Sequence, residues 1–162
     1  MGAGKSSVVA HLAAELNIAA CDIDQLIEKA AGTSIARIFE TQGEETFRDL
    51  ETTQLIQVTQ GAPCLVSCGG GIVGRKQNRQ HMHNNGFVIY LRVDIDEAIK
   101  RAGADPARPL FSDIQAARHL AAQREPLYCE AAHTIIDTTA LSLEQVSNQA
   151  CESLCAAGVL KQ

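Results

Sequence analysis

Residues 2–7 of this 162-residue chain read Gly-Ala-Gly-Lys-Ser-Ser, a run whose residue types and order suit the binding of a triphosphate. They fill the second half of the P-loop pattern G-x-x-x-x-G-K-[ST], in which a buried strand leads through glycines into a helix. Gly4, Lys5 and Ser6 take its last three places. Backbone N–H groups from Gly2 through Ala3 to Ser7 can turn inward as an anion nest, with the positive end of the following helix dipole behind them. Lys5 then reaches the β- and γ-phosphates, and the Ser6 hydroxyl ligates Mg²⁺. A surface Gly-Lys-Ser at a frayed terminus is the competing reading. Against it, Val8, Val9, Leu12, Ala13 and Leu16 recur at helical spacing directly behind the motif. The pattern's first glycine would fall two places before Met1. The expectation is therefore that this glycine and the strand before it are missing from residues 1–162, that Met1 is an internal methionine, and that residues 1–162 alone are poorly stable and weakly active.

Other residues able to do chemistry stand further along. Asp22 and Asp24, in Cys-Asp-Ile-Asp, are two carboxylates leaving a strand, suited to metal binding through water and to activating an alcohol. Capping of the next helix accounts equally for Asp24, though not for Asp22. Arg48, in Thr-Phe-Arg-Asp-Leu-Glu, and Arg124, in Gln-Arg-Glu-Pro-Leu-Tyr, each read singly as solvated helix-face residues. With Gly69-Gly70-Gly71 they suggest a fork for a small carboxylate, which guanidinium groups bind through paired hydrogen bonds. Three glycines directly after a buried strand imply close backbone approach by a ligand, or else a simple loop. Arg108-Pro109-Leu110 looks like part of a flap carrying a phosphate-facing arginine.

The elements that must position these residues alternate between strand and helix. Strands are expected at 17–21, 64–68, 86–93 and 134–137. Helices are expected after residue 7 and at 23–31, ended by Gly32. Further helices are expected at 34–60 with a break at Gly43, and at 96–101, 112–124 and 142–156. Such alternation predicts an α/β fold, a parallel sheet with helices on both faces. Ligands on such sheets bind beyond the carboxyl ends of the strands, a rule that gathers 2–7, 22–24 and 69–71 on one rim.

Composition sets outer bounds. A hydrophobic share of 46% excludes disorder, and with 4% aromatics and no tryptophan the core must be aliphatic. The net charge of −5 argues against nucleic acid or an anionic membrane as the main partner. No stretch approaches the roughly 20 apolar residues that span a bilayer. The six cysteines form no Cys-x-x-Cys pair and have no histidine at ligand spacing, which favours reduced thiols in a cytoplasmic protein over a zinc site or disulfides.

The ordered set Gly-x-Gly-Lys-Ser, Asp-x-Asp, Phe-Arg-x-x-Glu, Gly-Gly-Gly, Arg-Pro-Leu and Arg-x-Pro-Leu-Tyr closely resembles shikimate kinase, from residue 1 to about residue 137. The resemblance implies a P-loop kinase with a parallel sheet in the order 2-3-1-4-5, the first strand absent here. It implies one domain over 1–162, with 25–60 as substrate-binding segment and 102–113 as lid, and a monomer. The implied reaction is phosphorylation of the 3-hydroxyl of shikimate by ATP with Mg²⁺, in aromatic amino-acid biosynthesis. Asp24, Arg48, Gly70, Gly71 and Arg124 would hold shikimate, with Asp24 taking the proton and Glu51 orienting Arg48. Gly2 to Ser7, Arg101 and Arg108 would bind ATP, Arg101 on the adenine side. Lys5, Asp24 and Arg108 would be catalytic, and Ser6 and Asp22 would position the metal. Cys68 stands where threonine is common in the family, and the Thr-Thr-Ala-Leu run after Asp137 lacks a basic residue where many members contact adenine. Another small-molecule P-loop kinase, such as a gluconate kinase, and an inactive binding or scaffold protein of the same fold are the rival readings.

Overall fold

The computed structural model describes residues 2–102 and 113–160. They form two compact units, Met1–Val8 with Phe87–Gln162, and Val9–Gly86. The first helix, α1 (Lys5–Leu16), begins in one and ends in the other.

Within Val9–Gly86, β1 (Ala20–Asp22) runs directly into α2 (Ile23–Ala31). The Asp22 side chain accepts the backbone N–H of Asp24 and so caps α2, while Gly32, at φ 66°, ends it. Ser34 caps α3 (Ile35–Thr59), which is interrupted at Gly43, where φ is 83° and ψ 171°. The break predicted there is present. Next come β2 (Leu65–Ser67), a 3-10 turn at Ile72–Gly74, and α4 (Lys76–Asn85). β1 and β2 pair in parallel, Ala20 opposite Leu65 and Asp22 opposite Ser67. Ile23 and Ile27, one helical turn apart, are fully buried with Ile38 and Phe47, and Val66 and Cys68 pack against that cluster. This core fixes α2 and α3 against the end of β2.

Helix α4 has no counterpart in the sequence pattern. Its buried residues are Asn78, Arg79 and Met82, so its inner face is largely polar and shows no apolar stripe.

In the other unit, β3 (Ile89–Arg92) and β4 (Thr134–Asp137) pair in parallel, Ile89 opposite Thr134. Helix α5 (Ile95–Ala102) packs on α6 (Ile114–Ala131), and α7 (Leu143–Ala156) on β4. Asp94 opens α5 by accepting the N–H groups of Asp96 and Glu97. A reciprocal Ser142–Gln145 capping box opens α7. α6 does not stop at Arg124 as expected but continues through Pro126 to Ala131. Proline removes one helical hydrogen bond and crowds the carbonyl four residues back, which kinks a long helix without ending it. The described residues thus hold two two-stranded parallel sheets, β1 with β2 and β3 with β4.

Candidate active site

In Val9–Gly86 the chemistry gathers at the ends of β1 and β2. Asp22 closes β1, and its Oδ1 accepts the Asp24 N–H at 3.0 Å, so the cap weighed above for Asp24 is Asp22 instead. Asp24, released from that task, sends its carboxylate to the loop after β2. A Cβ built on Gly69 would stand 3.0 Å from Asp24 Oδ1 and 3.4 Å from Glu51 Oε1. Two residues on, a Cβ on Gly71 would fall 2.3 Å from Arg48 Nη1 and 2.7 Å from its Cζ. The triple glycine implies close approach by a ligand, whereas the structure shows close approach by side chains. At Gly69 and Gly71, the groups making it are the protein's own carboxylate and guanidinium. Gly70 lies half-buried between them.

Arg48 is held on several sides. Its Nη1 donates to Glu51 Oε2 at 2.9 Å, and Glu51 is only 1% exposed, as expected for the residue that orients it. Nε and Nη2 donate to Glu44 Oε1 at 3.3 and 3.1 Å, a partner with no forewarning in the motif. The guanidinium carbon also lies 5.0 Å from the Phe47 ring centre.

The glycine loop is anchored by residues that sequence reasoning missed. Buried Asn78 donates to Ile72 O at 3.2 Å and bonds the Thr52 hydroxyl at 3.0 Å, and Thr52 lies one turn beyond Arg48. Arg79 donates to Val73 O at 2.8 Å. Arg75 reaches back to α3, donating to Asp49 Oδ1 at 2.7 Å and bonding Glu45. Polar residues in a helix without periodicity carry no sequence signal for this role.

Residues 2–7, expected to bind phosphate, belong to the other unit. Gly2 and Gly4 adopt φ of 70° and 77°, left-handed values open chiefly to glycine. A Cβ on Gly2 would also stand 3.0 Å from the backbone and side chain of Ala98. The Val8 N–H bonds Gly4 O at 2.9 Å, so α1 starts at Lys5, with Lys5 half-buried, Ser6 and Ser7 exposed and Ala3 buried. Arg101 donates to Thr138 O and Thr139 O at 2.8 and 2.9 Å and to Glu97 at 3.1 Å. The basic group absent from the 138–141 run is therefore supplied to it by α5. The same run is fixed by Asp137, whose carboxyl accepts the Thr139 N–H at 3.0 Å and is held below its usual range by the Thr139 hydroxyl and amide.

Arg124 is half-buried on α6 and has no hydrogen-bond or ion-pair partner among the described residues. Its neighbour Glu125 is secured by the Tyr90 hydroxyl at 2.5 Å and Arg92 Nε at 2.9 Å. That pairing with β3 fixes the turn of α6 that carries Arg124. Arg108 and the greater part of 102–113 lie outside the described residues.

A glycine-shaped loop opening a helix, strands joined in parallel, and an arginine and carboxylates closing on a triple glycine are features of the P-loop kinase class. The family model of shikimate kinase matches residues 1–155, and the chain belongs to that family. A shikimate kinase of Pseudoalteromonas atlantica is 40% identical over 157 residues, covering 95% of this chain and 92% of its own. One of Stenotrophomonas maltophilia is 45% identical over 141 residues, covering 85% and 78%. Among solved structures, shikimate kinase from Acinetobacter baumannii in complex with shikimate superposes with a TM-score of 0.89 at 35% identity, over 99% of this chain and 91% of that one. The chain is thus an enzyme of the kinase class that uses ATP as a substrate.

Proposed function

We propose that the chain transfers the γ-phosphoryl group of ATP to the 3-hydroxyl of shikimate, giving shikimate 3-phosphate and ADP. The observation that carries this reading is the cradle in which the Arg48 guanidinium lies against Gly71 and the Asp24 carboxylate against Gly69. It offers a cation for the acceptor's carboxylate and a base for its hydroxyl. In this reading Arg48 and Arg124 pair with the carboxylate, Gly70 and Gly71 line the acceptor, and Asp24 takes the proton as the oxygen attacks phosphorus. Phosphoryl transfer depends on in-line placement and charge stabilisation more than on covalent help. Lys5 faces the phosphates in the ground state, and the backbone of Gly2 to Ser7 cradles them. Arg108, in the 102–113 lid, adds charge when the phosphoryl group moves, and Arg101 holds the adenine-side loop.

Ser6 and Asp22 contribute one hydroxyl and one carboxylate, hard oxygen donors of the kind Mg²⁺ takes beside phosphate and water. Bound there, Mg²⁺ would neutralise charge on the phosphate oxygens. A monomer working in the cytoplasm, as one catalytic domain, completes the reading. Among the described residues no helix is long and apolar enough to cross a membrane.

The test is ADP formation in a coupled assay with shikimate, with gluconate and without acceptor. Shikimate-dependent turnover at least tenfold above both controls is expected. Equal rates with and without shikimate would end this assignment.

A further inference from the structure

The Arg48 guanidinium offers two paired edges, Nη1 with Nη2 and Nε with Nη2, and a carboxylate of its own helix bonds at each. At the first, Nη1 meets Glu51 at 2.9 Å. The second, formed by Nε and Nη2, meets a single oxygen of Glu44 at 3.3 and 3.1 Å. An edge with two N–H groups side by side is the fork that receives a carboxylate through parallel bonds. Glu44 therefore stands where an acceptor carboxylate would bond.

The two partners are built differently. Glu51 is sealed, with its side chain 1% exposed, whereas the Glu44 side chain is 65% exposed. Glu44 also follows Gly43 directly. The backbone there leaves the helix, and nothing lies within 4 Å of where a Cβ would stand. When Glu44 departs, Glu51, the Phe47 ring and the close seat on Gly71 still hold the guanidinium. One carboxylate keeps Arg48 in place, and the other can be exchanged.

We infer that Glu44 is a resident carboxylate on the acceptor fork of Arg48, displaced when the substrate's carboxylate binds, and that it tunes acceptor affinity and selects for acids. This rests on the shikimate reading above. Glu44 is a specificity-determining residue that need not touch substrate. An acceptor with a blocked carboxyl cannot replace it on the fork.

The experiment is calorimetric titration of shikimate and of its methyl ester into the full chain, into Glu44→Gln and into Glu44→Ala, with KM measured for shikimate and ATP. Exposed ion pairs are weak, so removing the competitor should tighten shikimate binding by about two- to fivefold. The ATP KM should stay unchanged, and the methyl ester should show no gain. Unchanged or weaker shikimate binding in both variants would overturn the inference while leaving shikimate as substrate. A melting temperature lowered by more than about 4 °C in both variants would assign Glu44 to holding the fold, and overturn it too. If the unaltered chain binds no shikimate, the functional reading itself fails and this one with it.

Discussion

The two glycine clusters of this chain do different physical jobs. At residue 4 the glycine is needed for what the backbone does, since φ is 77° and nothing stands within 4 Å of a Cβ there, whereas Gly2, at φ 70°, also lies against Ala98. At residues 69–71 the need is space. Gly71 has ordinary helical angles, φ −81° and ψ −18°, and its missing side chain is replaced by the Arg48 guanidinium. One cluster sets the turn of a loop that opens a helix, and the other lets two side chains close on a strand end. Equal residue types in a motif therefore do not imply equal tolerance to substitution.

The largest effects should come from the two arginines proposed to pair with the acceptor's carboxylate. Arg48→Ala removes the proposed partner of the acceptor and the charge facing buried Glu51. Such losses cost about 2–3 kcal/mol, so both the melting temperature and shikimate affinity should fall, the latter about 10- to 100-fold. Arg124→Ala should weaken shikimate binding to a similar degree and leave the melting temperature unchanged, because Arg124 has no partner among the described residues to lose. A matching loss of stability in both variants would contradict the contrast between a braced and an uncommitted guanidinium.

Next in size is Gly71→Ala. Its methyl group would have to displace a guanidinium tied to Glu51, so the shikimate KM should rise at least about tenfold, or 1.4 kcal/mol, with the ATP KM unchanged. In the Arg48→Ala background the same substitution should cost almost nothing. Additive effects of the two changes would mean that Gly71 is glycine for some reason other than Arg48.

How far the sequence reveals this arrangement depends on the interaction concerned. Strands at 64–68 and 134–137 and helices at 23–31 and 142–156 lie within a residue or two of β2, β4, α2 and α7, because apolar runs, glycine stops and serine or aspartate caps are local signals. α4 was invisible because its buried face is Asn78 and Arg79, whose partners are carbonyls of the 3-10 turn. α6 runs beyond Arg124, where the sequence pattern ends it, because a proline stops a helix only when nothing else supports the turns that follow. The pairing of Glu51 with Arg48 was legible through the family resemblance, and their three-residue spacing allows it. The contacts made by Glu44 and Arg101 were not, since Glu44 is one of several acids near the break at Gly43, and Arg101 finds its partners 37 and 38 residues along the chain.

The smallest and most discriminating effect concerns Gly4. Alanine at a left-handed φ costs about 1 kcal/mol, which should appear as roughly fivefold weaker ATP binding with shikimate affinity unaltered. Asparagine tolerates that region better than alanine because its short amide bonds the local backbone. Gly4→Asn should therefore recover part of the loss, even though it is the bulkier residue. At Gly71 the order must reverse, with asparagine worse than alanine, because the obstacle there is volume beside Arg48. Measuring ATP and shikimate affinity for the four variants thus crosses side-chain size against backbone preference at both clusters. If Gly4→Asn binds ATP no better than Gly4→Ala, the glycine at position 4 serves the close approach of phosphate rather than the turn of the backbone. The two clusters would then share one cause, space.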